Sequence, residues 1–235
     1  MLPKNPVFVA LDTVDLNQAI AWADAVRPSV GGVKLGLEFF KSNGPDGVRR
    51  VVDLGLPVFL DLKFHDIPNT VAGAVRAVTG LGAAIVNVHA GGGPAMLKAA
   101  AAAAAEYGSD RPLVIAVTVL TSLDDGDLAA VGQTGPAASQ VERLARLTQS
   151  CGLDGVVCSP AEIATLRAAC GDGFRLIVPG IRPAWASRGD QKRIMTPRQA
   201  RDLGADILVI GRPITGSDDP AAAAARIVEE LDISS

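Results

Sequence analysis

Aromatic residues make up only 4% of the 235-residue chain, with two tryptophans and one tyrosine. That scarcity argues against the stacking platforms on which single-stranded nucleic acid is bound. Charge of either sign is not in excess, the formal net charge being −3, so no basic nucleic-acid surface is expected. Arg188 to Arg193 is the only dense basic group, and it contains Asp190. No window approaches the roughly 18 uninterrupted apolar residues of a membrane span. The first apolar run, Val7–Leu11, is five residues long and ends at Asp12, which is not the pattern of a signal peptide. Cysteine is sparse too. Cys151, Cys158 and Cys170 form an odd set without metal-type spacing, as expected of small buried thiols in a reducing cytoplasm.

What is abundant is apolar surface and glycine, with 49% hydrophobic residues and 25 glycines. A unit recurs along the chain: amphipathic helix, glycine, short apolar strand. Gly55 precedes LPVFLDL, Gly82 precedes AAIVNVH, Gly152 precedes LDGVVCS and Gly204 precedes ADILVIG. A glycine just past a helix can adopt the left-handed conformation that closes it. The strands read as continuous β-branched runs, as in a parallel sheet buried on both faces. They are expected at Val7–Leu11, Gly32–Gly36, Val58–Leu62, Ala84–His89, Leu113–Val119, Gly155–Cys158, Arg175–Pro179 and Asp206–Gly211. Helical patterns fill the intervals, among them the alanine-rich Pro94–Tyr107 and a final Pro220–Leu231. Eight such repeats without a break in composition predict one (β/α)8 TIM barrel spanning 1–235. An open doubly wound sheet is the alternative. ALDTVD after the first strand lacks the glycine-rich turn that such a sheet would place there.

Charged residues then fall at strand ends. Asp12 closes strand 1, Lys34 lies late in strand 2, Asp61 and Lys63 end strand 3, and Asp66 follows in its loop. These are carboxyl ends, the face on which barrel enzymes build active sites. A purely structural ion network there would cost several kcal/mol per desolvated ion. The alternating signs restrict the chemistry. A divalent metal wants converging acids, and here Lys34 and Lys63 stand in the place of the metal. A Schiff-base enzyme wants a lysine held neutral, whereas Lys63 lies between carboxylates that favour an ammonium. The array suits a carbanion, which a waiting cation would stabilise and then protonate. VPGIRP (178–183) and VIGRPIT (209–215) follow strands 7 and 8, where many barrels bind phosphate. Arg212 there offers a guanidinium fork. Ala184–Pro197, carrying Arg188 and Gln191, is expected to be a mobile loop that closes over a ligand.

These residues resemble orotidine 5′-phosphate decarboxylases of bacterial type. DLKFHDIPNT carries a D-x-K-x-x-D-I-P-x-T pattern, and ALD, VNVHAGGG, TVLTS, VPGIRP, GDQKR and VIGRPIT follow in the family's order, from Val7 to about Thr215. The resemblance implies decarboxylation of orotidine 5′-monophosphate to uridine 5′-monophosphate without metal or organic cofactor. It implies Lys63 as proton donor to C6, Asp61 beside the substrate carboxylate, and Lys34 and Asp66 completing the array. Asp12 and Lys34 would bind ribose hydroxyls, and Thr121 with Ser122 the pyrimidine. Arg182, Gln191, Gly211 and Arg212 would hold or enclose the phosphate. A homodimer with active sites at the interface is implied as well, Asp66 and Thr70 reaching into the partner's site, and Ile67 and Thr70 are implied to bind substrate. Magnesium-dependent sugar-phosphate enzymes of the same superfamily resemble this pattern but place Glu where Lys34 stands. A catalytically silent nucleotide-phosphate binder is the other reading. Asp124, Asp125 and Asp127 are expected to be a solvated loop, Gly91–Gly93 a tight strand-to-helix turn, and His89 a hydrogen-bonding neighbour of the site.

Overall fold

The computed structural model describes residues 3–186 and 195–232. Strands and helices alternate as β1 (Val7–Ala10), α1 (Leu16–Val26), β2 (Gly32–Leu35), α2 (Leu37–Val52), β3 (Val58–Phe64), α3 (Pro68–Thr79), β4 (Ile85–His89) and α4 (Gly93–Ala105). The second half continues with β5 (Leu113–Val117), α5 (Asp125–Ala130), α6 (Ala137–Ser150), β6 (Gly155–Val157), α7 (Ile163–Cys170) and β7 (Arg175–Pro179). It ends with α8 (Pro197–Asp202), β8 (Ile207–Ile210), α9 (Arg212–Thr215) and α10 (Pro220–Glu230). All strand pairs are parallel, and β8 returns to β1 through Val7 opposite Leu208, so the sheet is a closed barrel rather than an open one.

The residues explain the closure. Gly55, Gly82, Gly152 and Gly204 all have positive φ, between 82° and 104°, and each turns the chain from a helix into the next strand. Phe8, Phe59, Ile85, Ile115, Ile177 and Ile207 fill the barrel interior. Gly32 makes room for them, since a Cβ there would stand 2.5 Å from the Phe8 ring. Alternate strand residues such as Val7, Val9, Val86 and Val88 face outward into the larger core under the helices. The alanine run forms α4, with Ala100, Ala103 and Ala104 buried.

At the amino end of the barrel two aspartates tie neighbouring strands together. Asp154, just before β6, accepts hydrogen bonds from Val114 N–H at 2.7 Å and from both Nη atoms of Arg111. Asp206, just before β8, accepts from Leu176 N–H at 2.8 Å and from Arg167 and Arg175. In both cases a carboxylate satisfies a strand-end N–H that has no ladder partner. Asp124 and Asp127 correct the expectation of a loop. They form a reciprocal capping box that starts α5, while Asp125 accepts from Ala137 N–H at 2.7 Å. Gly93, with φ 81°, opens α4 after a single 3₁₀ turn, as the strand-to-helix reading expected.

Candidate active site

The carboxyl end of the barrel holds a row of alternating charges. Lys34 Nζ lies 3.1 Å from Asp12 Oδ1 and 3.5 Å from Asp61 Oδ2, and Lys63 Nζ lies 2.6 Å from Asp61 Oδ1. Asp12 extends from the end of β1 into solvent, Lys34 comes from β2, and Asp61 and Lys63 from β3. The side chains of Lys34 and Asp61 are only 11% and 12% exposed. Burial pushes the Asp61 carboxyl up, but Lys34, Lys63 and hydrogen bonds from Lys63 and Asn87 outweigh it. The group therefore stays below its ordinary 3.8.

β3 is not a regular strand at this point. Leu60 pairs with Val86 but Phe64 pairs with Val88, so four residues of advance on β3 face two on β4. Lys63 takes a positive φ of 53° within this bulge. A non-glycine residue there costs about 1–2 kcal/mol. Asn87 holds the distortion in place. Its Oδ1 accepts from Lys63 N–H at 2.8 Å and its Nδ2 donates to Asp61 Oδ1 at 2.7 Å. Asn87 is fully buried, and the sequence reading passed over it. Its signal was an amide at an inward position of the apolar run IVNVH, where β-branched residues otherwise prevail.

The row borders a cavity of about 220 Å³. Lys34, Asp61 and Lys63 make one wall, and Val117, Val157, Ile177 and Val209 of β5–β8 make the opposite, apolar wall. Low polarity on that side strengthens every charge interaction across the cavity. Thr121 lies at the rim beside Leu120; Ser122 is exposed next to it and does not line the cavity. His89 closes β4 against His65, with ring centroids 5.4 Å apart. Burial, His65 and Lys63 lower its pKa below 6.5 against the opposite pull of Asp61, which favours the neutral imidazole.

The remaining expected residues separate into two groups. Gly211 ends β8 and Arg212 opens α9, with Gly211 close to Ala10 and Asp12. Arg182 is buried at 6% exposure, and its N–H donates to Met195 O at 3.1 Å, joining the two flanks of the expected closing loop. Trp185 packs on the core, with the Arg226 guanidinium 4.6 Å over its ring, and α8 begins at Pro197. The expected loop of 184–197 is therefore fixed at both margins; Arg188 and Gln191 lie outside the described residues. Asp66, Ile67 and Thr70 form the second group, all exposed at the start of α3. The Asp66 carboxylate accepts from Ile67 N–H at 2.7 Å and takes no part in the row within one chain.

A closed (β/α)8 barrel with an alternating charged row over an apolar cavity at its carboxyl end defines a barrel enzyme of polar chemistry. The chain belongs to the orotidine 5′-phosphate decarboxylase / HUMPS family, which it matches over residues 5–227. It is 56% identical over 231 residues to an orotidine 5′-phosphate decarboxylase of Paramagnetospirillum magneticum, covering 97% of this chain and 98% of the relative. It is likewise 56% identical over 235 residues to one from Rhodospirillum rubrum, covering 98% and 95%. Among solved structures, orotidine 5′-phosphate decarboxylase from Lactobacillus acidophilus superimposes with a TM-score of 0.87 at 38% identity, covering 98% of this chain and all of that one.

Proposed function

We propose that the chain decarboxylates orotidine 5′-monophosphate to uridine 5′-monophosphate, acting as a carboxy-lyase of pyrimidine nucleotide synthesis. The observation that carries this reading is the row Asp12–Lys34–Asp61–Lys63, built into the mouth of an apolar cavity. The pyrimidine ring enters against the apolar wall, with Thr121 at its edge, and its carboxylate meets Asp61. The C6–carboxylate bond breaks, its electron pair stays on C6, and carbon dioxide leaves. Lys63 then gives a proton from Nζ to C6 and regains one from solvent. Repulsion between Asp61 and the substrate carboxylate is released as carbon dioxide departs, while the Lys63 ammonium stabilises the growing negative charge. The site already holds charge where the transition state needs it, so little reorganisation accompanies the step.

Lys34 carries the metal-free part of the proposal. Its ammonium lies between Asp12 and Asp61, within 3.5 Å of both, where a magnesium-dependent relative would bring acids together. Asp12 and Lys34 bind the ribose hydroxyls. Gly211, Arg212 and Arg182 take the phosphate, and Gln191, outside the described residues, is assigned to the same group only by the family resemblance.

A second copy of the chain completes the site. Ile67, 67% exposed, and Asp66 border an open groove with His65, Pro68, Gly91 and Gly92. Pairing of two copies over this face covers Ile67 and delivers Asp66 and Thr70 to the other copy's row. Sedimentation should give a dimer, and Ile67→Asp should give monomers with little turnover; a fully active monomer would contradict this arrangement. The reaction itself is tested by treating the protein with EDTA and following the ultraviolet absorbance of orotidine 5′-monophosphate. Conversion to uridine 5′-monophosphate is expected. Turnover appearing only after magnesium is restored would overturn the metal-free part of the proposal, and neither turnover nor binding of the nucleotide would favour the sugar-phosphate branch of the family.

A further inference from the structure

We propose that Asn87 is a positioning residue that sets Lys63 and Asp61 with a single amide. The inference rests on the decarboxylase reading above. Lys63 N–H can only donate, so the amide oxygen of Asn87 must face it, at 2.8 Å. That fixes the NH₂ group toward Asp61 Oδ1, at 2.7 Å, where an ionised carboxylate can only accept. One rigid group therefore holds the backbone of the proton donor and the carboxylate that the donor's own Nζ touches at 2.6 Å. The triangle closes: Asn87 to the Lys63 backbone, Lys63 Nζ to Asp61, Asp61 back to Asn87.

The need for such a clamp follows from the bulge. Lys63 sits at φ 53° where β3 gains residues against β4, and its N–H faces a side chain in place of the regular ladder. A left-handed lysine persists only when its surroundings over-determine it. Without Asn87 the N–H would be left unpaired or the bulge would relax, moving the Lys63 side chain off its aim. A misplacement of about 1 Å at a reacting group can cost on the order of 100-fold in rate.

Two substitutions separate this role from simple packing. Asn87→Ala removes both contacts. Asn87→Asp keeps the shape and the acceptor for Lys63 N–H, but at neutral pH it sets a second carboxylate against Asp61. Protonation of that new carboxyl restores a donor to Asp61 while its carbonyl still accepts from Lys63, so the lost function should return as pH falls. Other groups around the site are the same in parent and variant: Asp12, Lys34, Lys63, His65 and His89, with only apolar side chains from β5–β8 lining the cavity. Groups that do not touch position 87 drop out of the ratio of the two enzymes, whereas Asp61 and Lys63 titrate with the new carboxyl as one coupled set, and that set is what the ratio reads.

The experiment is steady-state decarboxylation by parent and both variants from about pH 5 to about pH 8. Asn87→Ala should lose at least about 30-fold in kcat with KM changed less than about threefold. The kcat of Asn87→Asp relative to parent should rise at least about fivefold from pH 8 to pH 5. A kcat for Asn87→Ala within about threefold of parent, a loss confined to KM, or a flat ratio for Asn87→Asp overturns the proposal. Should Asn87→Ala not fold, the Asn87→Asp ratio decides alone, and failure of both variants to fold assigns Asn87 to the core and overturns it. An inactive parent would instead count against the decarboxylase reading.

Discussion

Lys63 Nζ and Asp61 Oδ1 stand 2.6 Å apart, yet the two residues reach that contact from a strand that has left its regular course. The pair belongs to a row in which Lys34 lies on the far side of the same carboxylate. Asp61 therefore has a cation on each side, and its folded carboxyl lies below 3.8 although it is buried. A carboxyl lowered on folding adds stability above its unfolded value near 3.9, and that stability is lost as pH falls through the folded value. The melting temperature of the parent should exceed that of Asp61→Asn by a constant amount from pH 8 to about pH 5, the gap shrinking below about pH 4. A gap that closes between pH 8 and pH 6 would show Asp61 to be raised instead.

Arg212 opens α9 beside Gly211, at the end of the last strand. A charge-assisted contact to phosphate is worth roughly 1.5–3 kcal/mol, so Arg212→Ala should lower kcat/KM by about 10- to 100-fold. Steady-state kinetics with the intact nucleotide measures it. A loss smaller than about threefold would remove Arg212 from the phosphate site.

The opposite end of the barrel should behave differently. Asp206 holds Arg167, Arg175 and the Leu176 N–H below the core, far along the strands from the charged row. Breaking such a mostly buried pair costs about 3 kcal/mol, or roughly 6–12 °C in a domain of this size. Asp206→Ala should melt that much earlier while keeping kcat/KM within about twofold of parent. Unchanged melting, or a large kinetic loss in the folded variant, would contradict the division of the barrel into a stabilising end and a reacting end.

The barrel was legible because its signals are local and repeated. Each of Gly55, Gly82, Gly152 and Gly204 announces a turn into a strand, and continuous apolar runs announce burial on both faces. Strand ends moved by a residue or two: β3 runs on to Phe64 because the bulge lengthens it, and β5 stops at Val117, before Thr118. Asp12, Lys34, Asp61 and Lys63 were legible as charges at the ends of apolar runs. Asn87 was not, because an uncharged amide within a strand has no partner visible in sequence; its meaning lies in a backbone N–H contributed from 24 positions away. Asp124 and Asp127 are exposed as expected, but their part in starting α5 was missed for the converse reason. Short acids near a loop can cap a helix as readily as they meet solvent, and only the backbone decides. Asp66 and Thr70 are exposed at the start of α3, and the role proposed for them lies between two chains, which a single sequence does not express.

The most direct measurement compares decarboxylation by the parent with that by Lys63→Ala, alongside binding of uridine 5′-monophosphate to both. The account predicts that the variant folds and binds the nucleotide within about tenfold of parent, while kcat falls by at least about 10³-fold, as loss of a positioned acid and of charge stabilisation requires. A folded Lys63→Ala variant turning over within about tenfold of parent would contradict the assignment of Lys63 as the group that protonates C6.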